Sequence, residues 1–169
     1  MKTVTATTTI DDLDSFLADI DAISEATDAA IQCFDTDYIA GESHLRRAVE
    51  LAERAREQGT AVAREPAVEI LLYAAGRRQI NRALEMGVDE GETDVVSVVS
   101  GGDEAAAEQQ VRELLGATDA SNDGDDSIPR GDTETIRAFF DIGDRELTVV
   151  DGELEDIVLE RVALLDVEK

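Results

Sequence analysis

Thr93-Asp94-Val95-Val96-Ser97-Val98-Val99-Ser100 is an almost unbroken run of β-branched and small side chains. A strand with one wet face alternates apolar and polar residues, because successive side chains point to opposite sides. This run does not alternate, so it reads as a central strand buried on both faces. Two further stretches supply its neighbours: Lys2 to Ile10, rich in Thr and Val, and the short Ala29 to Phe34, AAIQCF. Between and after them the apolar spacing turns helical. Asp11 or Asp12 caps a helix with Leu13, Phe16, Leu17, Ile20 and Ile23 on one side. Gly41-Glu42-Ser43 opens a second helix running to about Gln58, with Leu45, Ala48, Val49, Ala52 and Ala55 inward and Gly59 as its stop. Asp103 caps a third helix to about Leu115, Asp132 begins a short one with Ile136, Phe139 and Phe140, and a last helix covers about 152–166. The expected fold is a mixed α/β (α+β) single domain over residues 1–169, with a small central sheet and a sizeable helical part.

The stretch from Pro66 to Met86 admits two readings. Pro66 suits a first helical position, and Val68, Leu72, Gly76, Ile80 and Leu84 recur four apart. Either one helix runs through with Gly76 on its packed face, or Gly76 divides it into two. Residues 116–131, GATDASNDGDDSIPRG, form an acidic loop without apolar surface to bury.

Forty acidic residues stand against fifteen basic ones, giving a net charge of −25 that is unevenly spread. Residues 1–40 carry −8 and residues 89–169 carry −18, whereas residues 41–88 carry +1. Thirteen arginines against two lysines, with a pI near 4.1, suit a protein of a salt-loving microbe, kept hydrated by carboxylates. One cysteine excludes an internal disulfide and fits a reducing compartment. No apolar run reaches the length of a membrane helix and no leader opens the chain, so a soluble, cytoplasmic protein is expected.

Within the near-neutral island most arginines have a carboxylate one helical turn away: Arg46 and Arg47 have Glu50, Arg54 has Glu50 and Glu57, Arg56 has Glu53, and Arg82 has Glu85. Arg77 and Arg78 have none at those offsets. The pair therefore points either to a partner outside the chain or to carboxylates from a distant part of the fold.

Catalytic patterns are sparse. A single His and a single Cys exclude zinc and haem sites, and neither a dinucleotide nor a P-loop glycine motif occurs. Gly101-Gly102-Asp103 follows the central strand, but Asp103 and Glu104 would repel a phosphate, so it reads as a turn and cap. No metal or cofactor is expected. An enzyme gripping a small anion with Arg77, Arg78 and His44 stays open as the alternative.

The strings Ile39-Ala40-Gly41-Glu42-Ser43-His44-Leu45-Arg46-Arg47-Ala48, then Glu69-Ile70-Leu71-Leu72-Tyr73-Ala74-Ala75-Gly76-Arg77-Arg78-Gln79-Ile80, and finally Val158 to Leu165 resemble the PRPK-binding protein family. The resemblance is to the regulatory subunit of the KEOPS complex, and to its haloarchaeal type. The resemblance implies a non-catalytic subunit that docks on an atypical kinase and helps recruit tRNA by its 3′ CCA end. The modification it serves is threonylcarbamoylation of adenosine 37 of tRNA. Carried onto this sequence, Arg77, Arg78, Gln79 and His44 are the expected tRNA contacts, joined by Arg82 and Arg64 of the same island. Ile70, Tyr73 and Ile80 are the expected kinase-facing residues. Neither DNA nor a membrane is implied as a partner.

Overall fold

The strand read from Thr93 to Ser100 lies at the centre of the sheet. In the computed structural model, which describes residues 1–77, 79–116, 128, 131–145 and 154–168, β1 (Lys2–Ile10), β2 (Ala30–Asp35) and β3 (Gly91–Ser100) form an antiparallel sheet in the order β1-β3-β2. The register pairs Val4 with Ser97 and Cys33 with Ser97 from the two sides. Residues 95–100 are buried without a break, as their failure to alternate requires. The fold is the expected mixed α/β class, with helices dominating.

The chain divides into two compact units. The first comprises Met1–Asp35 and Gly87–Ile128. It holds the sheet with α1 (Leu13–Thr27) and α5 (Glu104–Leu115). One core cluster is aliphatic with one ring: Val4, Ile10, Ile31, Cys33, Val95 and Val99 from the strands, with Phe16, Ile20, Ile23, Ala107, Val111 and Leu115 from the helices. Both helices start on a short acid. Asp12 accepts from the Ser15 amide at 3.2 Å and Asp103 from the Ala106 amide at 3.1 Å, each satisfying one of the free amides of a first turn. Gly102 is required where it stands: a Cβ there would lie 2.4 Å from the carbonyl of Asp28. Gly101-Gly102-Asp103 is thus the turn and cap that its acids suggested. Cys33 is buried beside the Ser97 hydroxyl at 3.3 Å, and burial pushes its thiol up to about 11, far from a reactive thiolate.

The second unit comprises Thr36–Met86 and Pro129–Lys169. It contains α2 (Glu42–Gln58), α3 (Pro66–Ala75), α4 (Ile80–Ala83), α6 (Thr133–Phe140) and α7 (Leu154–Glu168), with 3-10 turns at Thr36–Tyr38 and Leu84–Met86. Leu45, Ala48, Val49, Ala52 and Ala55 line the inner face of α2, and Ile157, Val158, Val162 and Leu165 that of α7. Arg46 pairs with Glu42 at 2.6 Å rather than with Glu50, while Arg47 reaches Glu50 at 3.3 Å.

Gly76 decides the ambiguous stretch. It takes φ +62 and ends α3 in a left-handed cap, its amide and that of Arg77 bonding Tyr73 and Leu72. The chain therefore makes two helices, and the four-residue stripe loses its phase at the break. Leu72 stays in the core, whereas Ile80 and Leu84 emerge on the surface. Most of the acidic stretch 116–131 lies outside the described residues, as does Arg78.

Candidate functional site

Helix α3 is the axis of the candidate site. Residues 69–75 are buried consecutively, so the helix is wrapped on all sides and only its two ends reach the surface. The chain leading into it, 60–65, carries exposed Val62 and Arg64. The chain leaving it carries Arg77, then exposed Gln79 and Arg82.

His44 sits under the exit. Its ring is fully buried, accepts the Ala40 amide on Nδ1 at 3.1 Å, and lies 2.7 Å through Nε2 from the Ala74 carbonyl. Since Nδ1 accepts a hydrogen bond from an amide, Nε2 must be the protonated nitrogen that donates to Ala74. Phe140 closes the cage, its ring edge-on at 5.8 Å. Burial lowers the imidazole to about 4, partly offset by the bond to Ala74, so it is neutral near pH 7. The expected role of His44 as a direct tRNA contact does not fit this placement. No external ligand reaches the ring, and both nitrogens are engaged with backbone. Its work is to fasten the last turn of α3 to the start of α2.

Arg77 also departs from expectation. Its guanidinium donates to the Phe139 carbonyl at 2.7 Å, stands 5.3 Å from the centre of the Phe139 ring, and lies 3.8 Å from the Asp141 carboxylate. The partners missing from its own helix come from α6, some sixty residues away. The carboxylate is 85% exposed, so the carbonyl and the ring hold the side chain more firmly than the ion pair does. The buried Nε has no hydrogen-bond partner. Arg77 is thus a brace across the exit from α3, with only part of its surface open to a ligand.

Gln79, Arg82 and Arg64 are open to solvent. Arg82 pairs loosely with Glu85 at 3.0 Å, both side chains nearly half exposed. Of the expected kinase-facing residues, Ile70 and Tyr73 are core residues, 2% and 0% exposed, and cannot meet a partner without unfolding. Ile80 is 48% exposed, and Leu84, one turn further, 57%. The two make an apolar step on either side of Arg82. Leu84 lies on the same four-residue stripe, whose phase beyond Gly76 the sequence leaves open.

Glu69 is a fully buried carboxylate that sequence reasoning passed over. It accepts the amides of Val62 at 3.2 Å and Ala63 at 2.7 Å. Near α6 an open depression of about 430 Å³ is lined by Glu134, Arg137, Ala138, Asp141, Ile142 and Gly143. Its one arginine is already held by Asp144 and the Ile142 carbonyl. Among the described residues no three Cys, His, Asp or Glu side chains cluster as a metal site would need. No helix among them is long and apolar enough to cross a membrane.

A family model of kinase binding protein CGI-121 matches residues 8–166, nearly the whole chain. The chain belongs to the CGI-121 family of kinase-binding proteins. The expected family assignment is thereby met, and a kinase is the partner class of the family. Among curated proteins no significant match is found.

Proposed function

We propose that this CGI-121 protein is a non-catalytic, cytoplasmic regulatory subunit of a KEOPS-type complex. It docks on the complex's atypical kinase and helps recruit tRNA through the 3′ CCA end for threonylcarbamoylation of adenosine 37. The observation that carries the kinase half is the family match over residues 8–166. Exposed Ile80 and Leu84 supply an apolar contact of the kind a protein partner covers, with Ile70 and Tyr73 as the scaffold behind them.

The RNA half rests on chemistry. In so acidic a protein, Arg64, Gln79 and Arg82 gather at the two ends of one helix, in the only third of the chain without net negative charge. At high salt, phosphate contacts lose most of their counterion-release advantage. Unpaired bases can still be held by stacking on guanidinium planes and by amide hydrogen bonds, which Arg and Gln provide and Lys does not. Arg78, the neighbour of the Arg77 brace, belongs to the same set, though it lies outside the described residues.

The test has two arms, both in concentrated KCl. Co-elution with the kinase is expected for the wild type and is expected to be lost on Ile80→Asp with Leu84→Asp. Anisotropy of labelled tRNA is expected to rise with the protein and not to rise with tRNA trimmed of its CCA end. Equal binding of both tRNAs would refute capture of the 3′ end, and absence of co-elution would refute the docking role.

A further inference from the structure

Each end of α3 is held by a fully buried ionisable side chain bonded to backbone atoms: one from α2 at the exit, one of its own at the entrance. At the exit it is His44. At the entrance it is Glu69, whose two carboxylate oxygens each take one amide of the 60–65 stretch. Burying a carboxylate is costly, and the two backbone amides are part of the compensation. A loop on a helical unit could be closed without that cost by a short surface acid, as Asp132 does for α6. What Glu69 adds is rigidity: it fixes Val62 and Ala63 and so sets the direction in which the next residue, exposed Arg64, projects.

We propose that Glu69 is a positioning residue for nucleic-acid capture. By holding Val62 and Ala63 it presents Arg64 as a preorganised contact for a single-stranded RNA end. That end's other contacts lie at the far end of α3. The ten residues of α3 separate Arg64 from the Gln79 and Arg82 segment by about 15 Å, which a short unpaired strand can span. Preorganisation matters because an arginine on a free loop must be ordered at the moment of binding, and that ordering subtracts from affinity. The inference rests on the RNA reading above, and its test separates the two.

The loop is read first on the wild-type chain, by amide hydrogen exchange. Val62 and Ala63 lie in a surface stretch, yet their amides are expected to exchange at least about tenfold more slowly than that of Arg64, because release requires breaking bonds to a buried carboxylate. Exchange as fast as at Arg64 overturns the proposal without any variant. The second readout is tRNA affinity in a cycle of wild type, Glu69→Gln, Arg64→Ala and the double variant. Glu69→Gln keeps the shape of the side chain and removes one acceptor. Glu69→Gln is expected to weaken binding about as much as Arg64→Ala, and the double variant no further, since both remove one contact. Losses that add in the double variant overturn the proposal, because a side chain acting only on general stability would not depend on Arg64. Slow exchange at Val62 and Ala63 with no tRNA binding by any form leaves the loop device standing and overturns the RNA reading instead.

Discussion

Two helices from each unit begin differently, although α6 of the helical unit carries a surface cap at Asp132. In the sheet-bearing unit, α1 and α5 are each started by a short aspartate at the surface, read directly from Asp12 and Asp103. In the helical unit, α2 and α3 have no side-chain cap at all: Gly41 and Glu65 occupy the cap positions and make no such bond. Their entrances are held from inside, by His44 reaching back to the Ala40 amide and by Glu69 reaching back to Val62 and Ala63. A surface cap stabilises a helix and asks nothing of its surroundings. A buried one fixes the incoming chain to the core, which is worth its desolvation cost where the loop itself has work to do. The sheet-bearing unit buries hydroxyls such as Ser97 and Ser100, whereas the helical unit buries an imidazole and a carboxylate.

The largest effect that can break this contrast is expected from His44→Ala. It leaves a cavity beside Phe140 and strands the Ala40 amide and Ala74 carbonyl, costing about 3–5 kcal/mol in a urea titration. Cys33→Ala, at an equally buried site in the other unit, should cost about 1 kcal/mol. Equal costs would remove the distinction.

The pH dependence sharpens it. The folded state holds the His44 imidazole near 4, below the ordinary 6.5 of an unfolded chain. The neutral ring therefore contributes stability that is complete above about pH 6.5 and is lost as pH falls toward 4. Protonation would place a hydrogen on Nδ1 against the Ala40 amide, setting donor against donor. About 2 kcal/mol should disappear between pH 7 and pH 5. As His44 is the only histidine in the sequence, His44→Ala should flatten this part of the profile. An unchanged slope would contradict the assigned cage.

Smaller changes are expected at the exit from α3. Gly76→Ala forces a side chain into a left-handed backbone and sets its Cβ 3.1 Å from the Arg161 carbonyl, costing about 1–2 kcal/mol. Arg77→Ala removes the bond to Phe139 and the ring contact, at about 1–2 kcal/mol. Were Arg77 a free surface residue, its thermal midpoint would not move.

These contrasts track what the sequence could tell. The central strand, its two neighbours, the Asp-started helices and the stop at Gly59 were all legible, because each depends on residues a few positions apart. The Arg77 brace was not, since its partners Phe139 and Asp141 arrive from another helix, and a search at one-turn offsets finds nothing. His44 and Glu69 were equally opaque. A polar residue on a helix reads as surface by default, and for Glu69 the one local signal of burial is the apolar pair Leu72 and Tyr73, three and four positions on. The exposure of Ile80 and Leu84 turned on the φ of one glycine, which periodicity alone cannot fix.

The most direct test of the account is a pair of charge reversals read by tRNA anisotropy in concentrated KCl. Arg64→Glu with Arg82→Glu alters the two ends of α3, and Arg112→Glu alters α5 in the sheet-bearing unit, where Arg112 pairs with Glu108. The account predicts that the first variant loses tRNA binding while the second retains it. Retention by the first variant, or equal loss by both, would contradict the assignment of RNA capture to the ends of α3.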